Sequence, residues 1–237
     1  MVYEENYFID SNDVNPDLTL KIPSLFKILQ DLGMRGSTYN GYGKEATIDK
    51  GLLWVYTRME VKIEKLPSYL SNVKGVTYPG PIFGCFFPRH YQILDEEGNV
   101  LIKASSINVL MDAKNRTVCF NPPIIGKDGI SKEGELPRPG KVVIDDDHIL
   151  GVHKVKFSEI DLNGHLNNTR YIETILNLKD SSFYSTHEIT RILINYDKEI
   201  KENEEIVLKG NIDNDIKVQG FVNEMSCFKA IIETKTR

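Results

Sequence analysis

Apolar residues along this chain follow two rhythms. Ile22, Leu25, Phe26, Leu29 and Leu32 recur at steps of three and four, which puts them on one face of a helix. Pro23 suits the first turn of that helix, and Gly33, Gly36, Gly41 and Gly43 are expected to end it. Elsewhere the apolar and β-branched runs read as strands: a short one from Tyr3 to Ile9, then Leu52 to Ile63, Asn72 to Tyr78, Phe83 to Leu94 and Val100 to Met111. Asp95-Glu96-Glu97-Gly98-Asn99 is the hairpin loop between the last two.

After a gap the order repeats. Val152 to Phe157 reads as a strand, and Asn167 to Leu178 as a helix with Tyr171, Ile172, Ile175 and Leu176 facing inward. Glu188 to Tyr196, Glu205 to Gly210, Ile216 to Asn223 and Phe228 to Glu233 read as strands. The approach to each helix is alike, Asp13-Val14-Asn15 and Asp161-Leu162-Asn163, so an internal duplication is expected. A helix followed by antiparallel strands in each half makes the chain α+β. Between the halves, residues 126–148 carry Gly126, Gly129, Gly134, Pro137, Pro139, Gly140 and the acidic Asp145-Asp146-Asp147, and read as a loose linker. The expected division is therefore 1–125, linker 126–148 and 149–237.

Composition narrows the function classes. A chain of 237 residues can bury a core without disulfides or metals. The formal net charge of -5 argues against a generally basic nucleic-acid-binding surface. Cys85, Cys119 and Cys227 are odd in number and widely spaced, which signals neither a zinc site nor a disulfide framework. No metal and no cofactor are expected. The acidic first residues lack the apolar core of a secretory signal, and no apolar run approaches the roughly 20 residues that span a bilayer. A cytoplasmic protein without membrane insertion is expected.

The chemistry concentrates in Asp161-Leu162-Asn163-Gly164-His165-Leu166-Asn167-Asn168-Thr169-Arg170-Tyr171. An Asp, three Asn and a His surround a glycine where a helix begins. Caps and turns explain one or two of them, since Asn and Asp cap helices and glycine suits a turn. They do not explain so many polar groups ahead of a helix with an apolar inner face.

The pattern Asp-x-Asn-x-His-x-Asn-Asn-x-x-Tyr resembles the signature of acyl-acyl-carrier-protein (acyl-ACP) thioesterases, which have a double hot-dog fold. The resemblance covers nearly the whole chain. Trp54-Val55-Tyr56-Thr57-Arg58 is similar to a family strand, as are Asp95-Glu96-Glu97-Gly98, Ala104-Ser105-Ser106 and Asp112 to a later hairpin. Asn195-Tyr196-Asp197-Lys198-Glu199 resembles a strand ending in a catalytic Glu, and Gly220-Phe221 recurs in the penultimate strand. There are departures: Asn108 and Thr174 stand where the family often has Trp, and Ile200 stands where plant members carry a Cys. A cysteine nucleophile is thus not available at that position.

The resemblance implies two tandem hot-dog folds, each with a long helix wrapped by an antiparallel sheet. It implies hydrolysis of fatty acyl-ACP, with acyl carrier protein as partner and the second half catalytic. Asp161, Asn163, His165 and Glu199 would form the catalytic centre. Trp54, Arg58, Asn167, Asn168 and Tyr171 would bind substrate. Hydrolysis needs an activated water and donors for the oxyanion, while a thiol of pKa about 8.5 leaves with little acid assistance. Glu199 is expected on a strand facing an apolar channel, where desolvation makes a better base. His165 would share the proton or hold the water. Asp161 would orient His165 or the loop, and Asn163 would polarise the carbonyl or bind the water. Which of Glu199 and His165 is the base stays open. Free backbone N–H groups from Gly164 to Asn168 are natural oxyanion donors. His90, His148, His153 and His187 read as structural or surface residues.

An acyl-CoA thioesterase shares this chemistry and differs in the carrier. Arg58, Arg89, Arg116, Lys154, Lys156, Arg170 and Arg191 are the cations available for an acidic carrier protein. A non-catalytic acyl-binding module predicts loss of a catalytic group, and all four are present. A hot-dog dehydratase fits the Asn-rich motif less well. A duplicated chain needs no second copy to complete the two-fold unit, so a monomer or weak homodimer is expected.

Overall fold

The computed structural model describes residues 1–120 and 134–237, and these divide into two compact units, Met1–Pro139 and Gly140–Arg237. The boundary falls inside the span read as linker. Residues 126–133 of that span lie outside the described residues.

In the first unit, β1 (Tyr3–Phe8) leads to α1 (Ile22–Tyr39), then β2 (Leu52–Ile63), β3 (Asn72–Pro79), β4 (Phe87–Leu94) and β5 (Val100–Asp112). All pairings are antiparallel, in the order β1-β3-β4-β5-β2. The second unit has β6 (Ile149–Lys154), α2 (Asn168–Leu176), α3 (Ser181–Thr186), β7 (His187–Tyr196), β8 (Glu205–Asn211), β9 (Ile216–Val222) and β10 (Met225–Thr236). Its order is β6-β8-β9-β10-β7, again antiparallel. The two orders are the same: in each unit the strand before the helix pairs with the third strand, and the strand after the helix lies at the far end of the list. The duplication read from the sequence is therefore one of topology.

The apolar stripe of α1 is buried, with Leu25, Leu29 and Leu32 fully inaccessible. The helix does not stop at its glycines but runs through Gly33 and Gly36 to Tyr39. The reason is the closeness of the sheet. A Cβ on Gly33 would sit 2.9 Å from the Tyr91 hydroxyl, and one on Gly36 would sit 2.6 Å from Thr77 Cγ2. These glycines let the helix lie down on β3 and β4 rather than end it.

Other boundaries moved for local reasons. Phe83 and Phe86 close a tight turn on each other through paired backbone bonds, so β4 starts only at Phe87. Phe157 belongs to a three-residue 3-10 turn, Phe157–Glu159, and not to β6. The helical stretch of the second unit is short. α2 has nine residues against eighteen in α1, and Asp180 caps a separate α3 by accepting from the Ser182 and Phe183 amides.

The described part of the linker is anchored. Leu136 and Val142 are buried. In the first unit Ser105 Oγ donates to the Pro137 carbonyl at 2.7 Å, and the Gly134 amide donates to His90 Nε2 at 3.2 Å. In the second unit the buried Asn195 side chain accepts from Val142 N at 2.7 Å and donates to the Gly140 carbonyl at 3.2 Å. Gln219 donates to the Asp146 carbonyl at 2.9 Å. The glycines and prolines that made the span look loose keep it from joining a sheet, and buried polar side chains bind its backbone instead. Asn195→Ala leaves the buried Val142 amide without its acceptor. Urea unfolding should show a loss of about 1–3 kcal/mol, whereas a change at exposed Lys141 should show nearly none.

Candidate active site

The second unit carries a short loop between Ile160 and Leu166. These two residues form an antiparallel bridge, and Asp161 N donates to the His165 carbonyl at 2.8 Å. Gly164 closes the turn with φ +78°, a left-handed conformation that an L side chain resists. Gly164 N donates to the Asp161 carbonyl at 3.0 Å. Asp161 Oδ1 accepts from Asn163 N at 2.8 Å and, more weakly, from His165 N at 3.4 Å. Of the two roles open to Asp161, these bonds serve the loop backbone.

The loop hands over to α2 at Asn167, whose side chain accepts from Thr169 N and Thr169 Oγ1, both at 2.9 Å. Asn167 is thus the N-cap of α2. Along α2, Tyr171, Ile172 and Ile175 are buried. Tyr171 meets Tyr196 and Phe228 edge-on at 5.3 and 5.1 Å, which seats the helix on β7 and β10. Burial, foremost, pushes the Tyr171 phenol well above its ordinary pKa, with the Tyr196 ring next to it adding to this. Tyr171 has a complete packing role of its own.

One bond brings the two candidate bases together. Leu166 N donates to the Ile200 carbonyl at 2.8 Å, tying the loop to the bend that follows β7. Glu199 lies in that bend and not on a strand, because β7 ends at Tyr196 and the chain turns away through Asp197 and Lys198. Both of their amides donate to the Cys227 carbonyl, at 2.8 and 3.0 Å, which fixes the turn. Glu199 Oε2 then stands 3.5 Å from His165 Nε2, with the two side chains 29% and 14% exposed. That distance is longer than a direct hydrogen bond and suits two groups that share one small polar molecule.

Most backbone donors expected to be free are engaged. Gly164, Leu166 and Asn167 amides all donate within the protein. The amide of Asn168, first in α2, donates to no described residue, and the side-chain amide of Asn163 has no hydrogen-bond partner among the described residues. Those two remain as donors for a substrate oxygen. The Asn168 carbonyl accepts from the Tyr196 hydroxyl at 3.4 Å.

Trp54 and Arg58 are both on β2 of the first unit. Trp54 donates from Nε1 to the Tyr42 carbonyl at 3.2 Å and packs edge-on against Phe87, beside Leu52 and Leu110. Arg58 follows an irregularity in the β2–β5 register. Among the cations considered for a carrier protein, Arg89 is buried and donates to Ser37 and Thr77, with desolvation lowering its pKa. Arg170 is paired with Glu173 and Arg191 with Glu233. Lys154 and Lys156 are exposed on the second unit.

Sequence reading missed one polar pair. His153, which reads in the sequence as a structural or surface residue, lies 2.9 Å from Glu159. The two come from different elements six positions apart, and nothing local shows that the chain turns between them to bring the side chains together.

The chain's first 124 residues match the family model described as the acyl-ACP thioesterase N-terminal domain, and residues 145–232 match that of the C-terminal domain. A dodecanoyl-[acyl-carrier-protein] hydrolase of Cinnamomum camphora is 25% identical over 84% of this chain and 56% of its own length. A palmitoyl-acyl carrier protein thioesterase of Gossypium hirsutum is 26% identical over 84% of this chain and 52% of its own. The chain therefore spans about half the length of the curated relatives it matches. Among solved structures, an acyl-ACP thioesterase from Bacteroides thetaiotaomicron superposes with TM-score 0.90 at 20% identity, over 99% of this chain and 98% of that one. The 12:0-ACP thioesterase from Umbellularia californica gives 0.81 at 20% identity, over 100% and 98%. These structures establish the tandem hot-dog fold, and the two domain matches, which between them cover most of the sequence, show that the chain belongs to the acyl-ACP thioesterase family.

Proposed function

We propose that this chain hydrolyses fatty acyl thioesters carried on acyl carrier protein, releasing a free fatty acid and the carrier thiol. The observation that carries the reading is the 3.5 Å approach of His165 Nε2 and Glu199 Oε2 on a loop held from both sides. A water between them gives up a proton to the pair as its oxygen attacks the thioester carbonyl carbon. The carbonyl oxygen takes the negative charge, and the Asn163 side-chain amide and Asn168 N–H are the donors available to it. The intermediate collapses with cleavage of the C–S bond. The thiolate departs and recovers a proton from the pair, so no atom is left over. Leaving-group chemistry makes little demand, since a thiol of pKa about 8.5 departs readily near neutral pH.

Family membership supports the carrier protein as the substrate's other half, and the relatives named above act on dodecanoyl and palmitoyl carriers by their names. Exposed Lys154 and Lys156 on the catalytic unit are compatible with an acidic partner. The test is thiol release from matched acyl-ACP and acyl-CoA series, from short to long chains, at low and high salt. Higher kcat/KM on the carrier protein, weakened by salt, is expected. Equal or better turnover of acyl-CoA would reassign the carrier, and no release from any thioester by folded protein would overturn the activity.

A further inference from the structure

The proposed hydrolysis leaves a second His–carboxylate pair unused. His153 Nε2, on β6, lies 2.9 Å from Glu159 Oε1 and 3.1 Å from Oε2. Both side chains are mostly covered. Glu159 Oε2 also accepts from Lys156 N at 2.6 Å, and Glu159 N donates back to the Lys156 carbonyl at 3.0 Å. Its carbonyl accepts from Asn167 N at 2.9 Å. Asn167 caps α2, and Ile160, the residue after Glu159, is bridged to Leu166. One residue therefore grips the loop entrance through its carboxylate and the loop exit through its carbonyl.

Capping the 3-10 turn accounts for the bonds between Lys156 and Glu159. It does not account for an imidazole brought from β6, nor for the bond that crosses the base of the loop to Asn167. Between those two bonds lie Asp161, Asn163 and His165. The Leu166 amide, next to the crossing bond, is what holds the Glu199 bend. A shift of Glu159 would thus pass to His165 and to the bend together.

We propose that His153 and Glu159 are positioning residues that set the His165–Glu199 separation, an assignment that rests on the hydrolytic reading above. Neither residue touches the reacting atoms. The imidazole fixes the carboxylate, the carboxylate fixes the loop entrance, and the Glu159 carbonyl fixes the N-cap of α2.

The test compares Glu159→Ala and His153→Phe with the conservative Glu159→Gln and His153→Gln in the full chain. Misplacement by a fraction of an ångström should lower kcat about tenfold to a hundredfold, with KM changed by less than about threefold. The conservative variants, which keep a hydrogen-bonding group at each position, should recover most of the loss. Hydrogen–deuterium exchange supplies a second reading: the amides of Asn163 to Asn167 should exchange faster in Glu159→Ala, while those of β9 and β10 stay as in the parent. Unchanged kcat with unchanged loop exchange would overturn the assignment. So would a loss of thermal stability alone. If the parent chain releases no thiol from any substrate, the hydrolytic reading falls separately, and loop exchange in Glu159→Ala still decides the clamp.

Discussion

His165→Ala and Glu199→Ala should each lower thiol release by about a thousandfold, and the double variant should be scarcely worse than either single one. The expectation follows from the geometry of the pair. The two side chains reach one point from separate segments, and the bond from Leu166 N to the Ile200 carbonyl couples those segments. Groups that act on one water act as a unit, so removing the second after the first costs little more. Independent roles would instead multiply, to about a millionfold. Neither side chain belongs to the buried core, so both variants should unfold near the parent's urea midpoint. Steady-state kinetics of the four proteins on one acyl-ACP measures the coupling. Multiplicative losses, or activity retained in either single variant, would break the shared-water mechanism.

The parts of this molecule legible in sequence are those encoded by local repetition. The stripe from Ile22 to Leu32 marks where α1 starts, and the apolar and β-branched runs mark β2 and β5 within a residue, because burial selects such residues. The candidate loop from Asp161 to Asn168 stands out because polar residues crowd a helix start. What stayed hidden depends on partners remote in the chain. Gly33 and Gly36 look like helix stops until Tyr91 and Thr77 are known to face them. Glu199 looked like a strand residue because nothing local shows that Asp197 and Lys198 turn back to the Cys227 carbonyl. Leu136 and Val142 sit in glycine- and proline-rich sequence whose backbone is held by remote side chains, Ser105 at Pro137 in the first unit and Asn195 at Gly140 and Val142 in the second. Roles within the loop were similarly divided. The Asn163 side-chain amide has no partner among the described residues, whereas Asn167, of the same residue type, is consumed as a cap.

Gly220 joins the two kinds of information, and its replacement should be strongly destabilising. In the sequence it was only half of a Gly-Phe pair in a strand. In the structure it lies directly opposite Phe228 in the β9–β10 register, and the Phe228 ring folds over it. A Cβ at residue 220 would fall 2.0 Å from Phe228 Cε1. The ring cannot swing aside cheaply: Phe228 is fully buried and its outer face meets Tyr171 of α2 edge-on. Gly220→Ala should therefore cost about 3 kcal/mol, the upper end of ordinary overpacking, read as a fall in the urea midpoint at constant m-value. Shortening the ring tests the cause. Phe228→Leu leaves a cavity and is itself destabilising, but it removes the atoms that the new methyl would strike. The double variant should thus be more stable than the sum of the singles by about 1–2 kcal/mol. Simple additivity would mean that the glycine is required by its backbone and not by the ring. Because Phe228 also stands opposite Tyr196, whose hydroxyl reaches the Asn168 carbonyl, strain entering at Gly220 has a packed route to the start of α2. Thiol release by Gly220→Ala should fall with stability and return in the Phe228→Leu background, which would tie a strand glycine to the placement of the loop that carries Asp161 and His165.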